Sequence, residues 1–283
     1  MPWSSVMGAF DFFTSNALRA GGATVASIRL RIGRGEIYRV INGWYGNSST
    51  PQQAVLAMRI GGRLGCVSAL DLHGAWHPPG CGVHVIFPSH ASGRRSAGRD
   101  RGAAVVRHWH DSTDRTGSAF AVAPIELALA EALQCQPNHY LLAILDSLLH
   151  RRLITRNRLE AIVHRAPARV HHLLDHIDAR SESGTESITR YRLTMSGLVT
   201  KIQVTLREKD RLDLEIDDWL AIEIDGRKHH AQRAAFTKDR RRVVRVMREG
   251  RIVLQFSSAT VISEWEFVIE TIRAVMAQHA LIA

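Results

Sequence analysis

The stretch that most constrains this chain is Arg211 to His230, RLDLEIDDWLAIEIDGRKHH, in which apolar residues alternate with carboxylates and two histidines follow. The alternation runs from Leu212 to Asp217 and again from Trp219 to Asp225, the period-two signature of two short half-buried strands. Side chains two apart share a face, so Glu223 and Asp225 point together while Ile222 and Ile224 enter the core. With Asp217-Asp218 as a tight turn the strands pair antiparallel, and Asp213 comes close to Glu223. Carboxylates packed that closely repel unless a cation lies between them, and an oxygen-only cluster suits Mg2+ or Mn2+.

Other residues join this stretch in a longer pattern: Glu186, then Asp213, then Glu223-Ile-Asp225-Gly226, His229-His230, Asp239-Arg-Arg-Arg242 and the closing RIVLQFSS. Over roughly the last hundred residues the order resembles the very-short-patch-repair-like branch of the PD-(D/E)XK nuclease superfamily. The resemblance implies a core of helix, three strands, helix, strand and helix. Its first acid lies on a helix, its second in a strand, and its third, with the follower two residues on, in the next strand. It also implies metal-assisted hydrolysis of phosphodiester bonds. A cation would be held by Asp213, Glu223 and the backbone carbonyl of Ile224, with Glu186 holding a second cation or orienting water. The superfamily expects Lys at the follower position, where this chain has Asp225. Asp225 would then add a metal ligand, and His229 or His230 would protonate the leaving oxygen.

A net charge of +10 and an isoelectric point near 10.3 favour a polyanionic partner. The charge is concentrated, with ten Lys or Arg against two acids between Arg227 and Arg251. There the alternation gives way to helical periodicity, setting Phe236, Val243 and Met247 on one side and Arg241, Arg245 and Arg248 on the other. That arginine row is a solvated face or a grip on phosphate. Asp239 and Arg242, one turn apart, make an ion pair within reach of the carboxylates.

Near the start, AGGATVASIRLRIGRGEIYRVINGWYG breaks at Gly21-Gly22 and resumes with a Thr24 cap, with Val25, Ile28 and Ile32 at helical spacing. Asn42-Gly43 between two apolar runs signals a two-residue hairpin. Helix, turn, basic helix and hairpin make a winged-helix layout, and the segment resembles the N-terminal DNA-binding domain of AbiEi-like type IV antitoxins. That resemblance implies that Thr24, Ser27, Arg29, Arg31 and Arg34 face the groove of DNA and that Arg39 meets its backbone. A helical cap with ordinary surface arginines is the plainer alternative.

The expected fold class is therefore α+β and multidomain. A winged helix occupies residues 1–50, an AbiEi-like mixed α/β and helical region 51–179, and a restriction-endonuclease-like core 180–283. The middle region offers little chemistry. Ser89 to Arg101 reads as a polar linker, and His108 and His110 flank Trp109 with no third ligand in sequence, which argues against zinc there. Cys66, Cys81 and Cys135 show neither a disulfide framework nor CxxC spacing. With no apolar run of spanning length and no signal-peptide layout, the expectation is a reduced, cytoplasmic protein away from membranes. Two non-enzymatic readings stay open. One is a DNA-binding transcriptional regulator of the type IV antitoxin kind, catalytically inactive, and the other an interaction module that engages a cognate toxin or defence partner.

Overall fold

The computed structural model describes residues 9–89, 102, 104–110, 120–207, 210–225 and 233–282, the side chains of 233–239 excepted. The fold is mixed α and β, with three small sheets among the described residues. It divides into two compact units, Met1–Cys135 and Gln136–Ala283, where the sequence suggests three segments. Among the described residues, no helix is long and apolar enough to cross a membrane.

The first unit begins with the elements that local signals announce. Thr14 caps α1 (Ser15–Ala20) by accepting the Ala17 N–H at 3.0 Å. Gly22, at φ 86°, reverses the chain. Thr24 and Ser27 then satisfy each other's backbone N–H groups in a capping box at the start of α2 (Val25–Gly33). β2 (Tyr38–Ile41) and β3 (Trp44–Gly46) form the hairpin across Asn42-Gly43, and β1 (Phe13–Thr14) adds to β3, giving the order β1-β3-β2. Phe13, Leu18, Ala23, Ile28, Ile37 and Tyr45 share one core, with Ile32 packed against it. Val25 was expected on that stripe but is 51% exposed, so α2 buries only Ile28 and Ile32.

The rest of this unit is α3 (Gln52–Arg59), β4 (Arg63–Leu64), α4 (Cys66–Leu72), β5 (Val83–Phe87), β6 (Val105–Trp109) and α5 (Ile125–Cys135). β5 lies between β4, antiparallel, and β6, parallel. Gly65 lets α4 start hard against β5, since a Cβ there would lie 2.3 Å from Ile86 Cγ1. Most of the linker expected at Ser89 to Arg101 lies outside the described residues.

The second unit opens with α6 (Asn138–His150) and α7 (Arg156–Val163), followed by a 3-10 helix at Ala168–His176 and α8 (Gly184–Met195). α8 is buried along most of its length despite its polar composition. Its hydroxyls bond back into the helix, as from Thr189 to the Thr185 carbonyl at 2.8 Å, and Arg190 pairs with buried Asp146 on α6 at 2.7 Å. Then follow β7 (Thr200–Thr205), β8 (Arg211–Ile216), β9 (Leu220–Asp225), α9 (Arg233–Arg248), β10 (Ile252–Ser257), α10 (Ser258–Ser263) and α11 (Trp265–Ala280). The final cover, expected as one helix, is broken into two at Glu264.

The sheet order is β10-β9-β8-β7, with β9 antiparallel to β8 and parallel to β10. Asp217 (φ 51°) and Asp218 (φ 62°) make the expected turn in the left-handed region that Asp tolerates. The strands are not half-exposed. β9 has a partner on each side and is buried from Leu220 through Ile224, and Glu215 on β8 is 1% exposed, held by Arg251 at 2.8 Å. Glu215 therefore enters the interior with a cationic partner, while Asp213 and Asp225 are half-buried.

Candidate active site

The register of β8 against β9 runs Ile216↔Leu220, Glu215↔Ala221 and Leu214↔Ile222, so its next step sets Asp213 level with Glu223. On β7, the pairs Ile202↔Leu214 and Val204↔Leu212 bracket Gln203, which brings Gln203 level with Asp213. Gln203 has φ 53°, an uncommon conformation for a side chain of this size, and it interrupts the alternation of β7 at this point. Backbone strain of this kind concentrates where a side chain must be aimed.

Glu186 approaches from α8. Ser183 caps that helix by accepting the Glu186 N–H at 3.2 Å, and Glu186 Oε2 accepts the Glu182 N–H at 3.0 Å and the Gln203 Nε2–H at 2.9 Å. Asp213 Oδ2 accepts the Ile224 N–H at 2.9 Å, which locks the carboxylate between β8 and β9. Arg242, from α9, donates to both oxygens of Glu223 at 2.9 Å and also to the Arg211 carbonyl. Gln203 Oε1 is buried and has no hydrogen-bond partner among the described residues.

The charges in this pocket act on one another. Burial pushes the Glu186 carboxyl up, and the charge of Asp213 adds to it. Burial raises Asp213 too, with Asp225 adding and the Ile224 amide and Arg242 opposing. Burial carries Glu223 furthest, to about 7, against the pull of Arg242 and with repulsion from Asp213 and Asp225. Burial works against the charge of Arg242, but the Glu223 carboxylate outweighs it and the guanidinium pKa rises. Asp213 is thus the hub through which Glu186, Glu223 and Asp225 are coupled.

The structure brings together Glu186, Asp213, Glu223 and Asp225 of the expected set, and it adds Gln203 and Arg242. His229 and His230 lie outside the described residues, as do the side chains of Phe236 and Asp239. Arg242, expected as the partner of Asp239 within reach of the carboxylates, binds Glu223, and its expected pairing with Asp239 lies outside the described residues. In the arginine row, Arg241 and Arg248 are exposed, whereas Arg245 forms a two-pronged pair with Asp210 at 2.6 and 2.8 Å. Among the described side chains of α9, Val246 is buried, and Met247, expected on the apolar side, is 56% exposed.

Among the N-terminal residues, Arg29, Arg34 and Arg39 are exposed, while Arg31 is held by Glu36 at 2.9 Å. Thr24 and Ser27 use their hydroxyls in the capping box. Sequence reading misses a second cluster. Cys66, His84, His108 and Cys135 converge in the first unit, although the sequence around His108 offers no third ligand. No protein-family model matches the chain, and no curated protein matches it in sequence.

Proposed function

We propose that the second unit is a metal-dependent DNA endonuclease domain of the PD-(D/E)XK kind and that the first unit carries a winged helix that holds it to duplex DNA. The observation that carries this reading is the convergence of three carboxylates, buried Glu186 and Glu223 and half-buried Asp213, whose pKa values all rise through desolvation and the repulsion of a neighbouring carboxylate. Perturbation of that kind is typical of groups recruited for chemistry. The order α8, β7, β8, β9, α9, β10, with β10 parallel to β9, supports the same reading. At the other end, two capped helices and a hairpin, with Arg29, Arg34 and Arg39 exposed, support DNA as partner.

The residues fit a hard divalent cation, Mg2+ or Mn2+. The donor set of Asp213, Glu223, Asp225 and the Ile224 carbonyl is all oxygen, and beside it the buried Gln203 Oε1 has an open acceptor position. A cation held there would lower the pKa of its water and offset charge building on the phosphate. Glu186, anchored by Gln203 and the Glu182 amide, is aimed to orient water. Glu223, raised to about 7 without metal, would be held ionised as a ligand once the cation binds, and His229 or His230 would protonate the leaving oxygen.

One observation favours a second reading. Arg242 grips both oxygens of Glu223, as a cation substituted into the site would. In that reading the acids and Arg242 form a closed structural network, and the chain is a DNA-binding regulator without cleavage activity. Incubating the full chain with plasmid and linear DNA in Mg2+, Mn2+ or EDTA separates the two. Divalent-dependent cleavage that Glu223→Gln abolishes supports the nuclease. Binding without cleavage under every metal condition supports the regulator.

A further inference from the structure

We propose that Cys66, His84, His108 and Cys135 form a closed tetrahedral Zn2+ site that staples α4, β5, β6 and α5 of the first unit together. The four ligand atoms lie within 4.8 Å of one another, with His84 Nδ1 at 3.0 Å from His108 Nε2 and Cys135 Sγ at 3.8 Å from His84 Nδ1. Zinc with bonds of about 2.0 Å to nitrogen and about 2.3 Å to sulfur sets its tetrahedral ligands about 3.3 to 3.8 Å apart. Small side-chain adjustments reach that shape.

The outer hydrogen bonds decide what the inner atoms can be. His84 Nε2 faces the Cys81 carbonyl at 3.1 Å, and a carbonyl can only accept, so that nitrogen carries the proton. His108 Nδ1 faces the Glu131 carboxylate at 2.9 Å and donates in the same way. In the neutral rings, the remaining nitrogens both present lone pairs, and these point at each other across 3.0 Å. Two acceptors do not face each other so closely without a cation between them. A carboxylate or carbonyl behind each ligating histidine is the usual support of a metal site, because it fixes the tautomer and the ring plane.

The backbone is arranged for the same end. Cys66 has φ 47°, a left-handed conformation that is strained for Cys, at the first residue of α4. The strain is held by Gly65, whose N–H donates to the His84 carbonyl at 2.9 Å, and by Ser68, whose Oγ accepts the His84 N–H at 2.9 Å. Cys66 and His84 are thereby pinned side by side, and both are buried, at 0% and 2% exposure. Cys135 ends α5 and is the last residue of the first unit. Two sulfurs and two imidazoles select Zn2+ over Mg2+ or Ca2+, and four protein ligands leave no open position, the mark of a structural site. The proposal is independent of the nuclease reading, which concerns other residues in the other unit.

The test uses the full chain, purified under reducing conditions with no added metal, and reads metal content by mass spectrometry. One zinc per chain is expected. It is retained in Cys81→Ser and Glu223→Gln, and lost on dialysis against chelator in Cys135→Ser, a substitution at an exposed helix end. Co2+ put in place of zinc is expected to give the intense visible bands of a tetrahedral site and thiolate charge transfer in the near ultraviolet. A carboxylate site gives neither. A wild-type chain with no zinc and no such Co2+ spectrum overturns the proposal, because a proton then bridges the histidines. A Co2+ spectrum untouched by Cys135→Ser overturns it equally.

Discussion

Arg242 donates one hydrogen bond to each carboxylate oxygen of Glu223, both at 2.9 Å, and the acid is only 5% exposed. Removing Arg242 leaves the buried Glu223 carboxylate without its cation, at a cost of about 3 kcal/mol where the acid is ionised, above about pH 7. Arg242→Ala is therefore expected to lower the urea midpoint of the second unit in EDTA. It should also increase the stabilisation by millimolar Mg2+ or Mn2+, because the cation no longer competes with Arg242 for Glu223. Urea titrations with and without metal measure both effects. An equal response to metal in variant and wild type would show that Glu223 is not a ligand.

Glu223 also sets a pH dependence. Its folded pKa, pushed to about 7 by burial against the pull of Arg242, lies above the ordinary 4.5. A group raised on folding binds its proton more tightly in the native state, so its contribution is full below about 4.5 and declines as pH rises through about 7. Asp146, raised by burial from 3.8 to about 6 against the charge of Arg190, slopes the same way at lower pH. In EDTA, stability is expected to fall between about pH 4.5 and 7, and Glu223→Gln should remove the upper part of that slope. Metal binding should strengthen over the same interval, because the ligand must be ionised.

DNA binding by the first unit is expected to run through the exposed arginines. Arg29→Ala with Arg39→Ala should weaken duplex binding for any sequence and reduce the slope of log affinity against log salt by about 2, one phosphate contact each. Arg31→Ala, which breaks the pair with Glu36, should alter affinity partly through the helix end it braces. Fluorescence anisotropy across a salt series reads the slopes. An unchanged slope in the double variant would move the contact surface elsewhere.

Glu131 accepts from His108 Nδ1 at 2.9 Å and from His110 Nδ1 at 3.0 Å, so one buried carboxylate sets two rings. Glu131→Gln keeps its volume but weakens the acceptor. Zinc affinity, measured by competition with a chromogenic chelator, is expected to fall about 10- to 100-fold. The Co2+ spectrum should keep its shape, since no ligand has changed.

What the sequence reveals and what it hides divide along contact range. The Asp217-Asp218 turn, the Thr24 cap and the Asn42-Gly43 hairpin are local, each decided by a few adjacent residues, and the structure has them where the sequence puts them. Asp213, Glu223 and Asp225 are found because period-two alternation carries them, and Glu186 because the nuclease-like pattern places its first acid on the preceding helix. Gln203 is not foreseen in the site, since it depends on a left-handed residue inside a strand, and Arg242 is foreseen within reach of the carboxylates but not as the partner of Glu223, which depends on how α9 packs. The same limit hides the Cys/His cluster, whose members sit at positions 66, 84, 108 and 135 on four elements, with no short spacing to betray them. Burial of both strand faces likewise depends on the neighbours of β9 and not on its own pattern.

Glu186 ties the first turn of α8 to the chain before it and fastens Gln203 of β7 to that helix, while Asp213 clasps the backbone of β9. These acids are joints of the domain as well as candidates for its chemistry. A lineage that stopped cutting DNA would still need them to keep helix and strands in register, so drift would remove the activity long before it removed the motif. Descendants of such a chain would carry the signature of a nuclease as an inheritance of architecture.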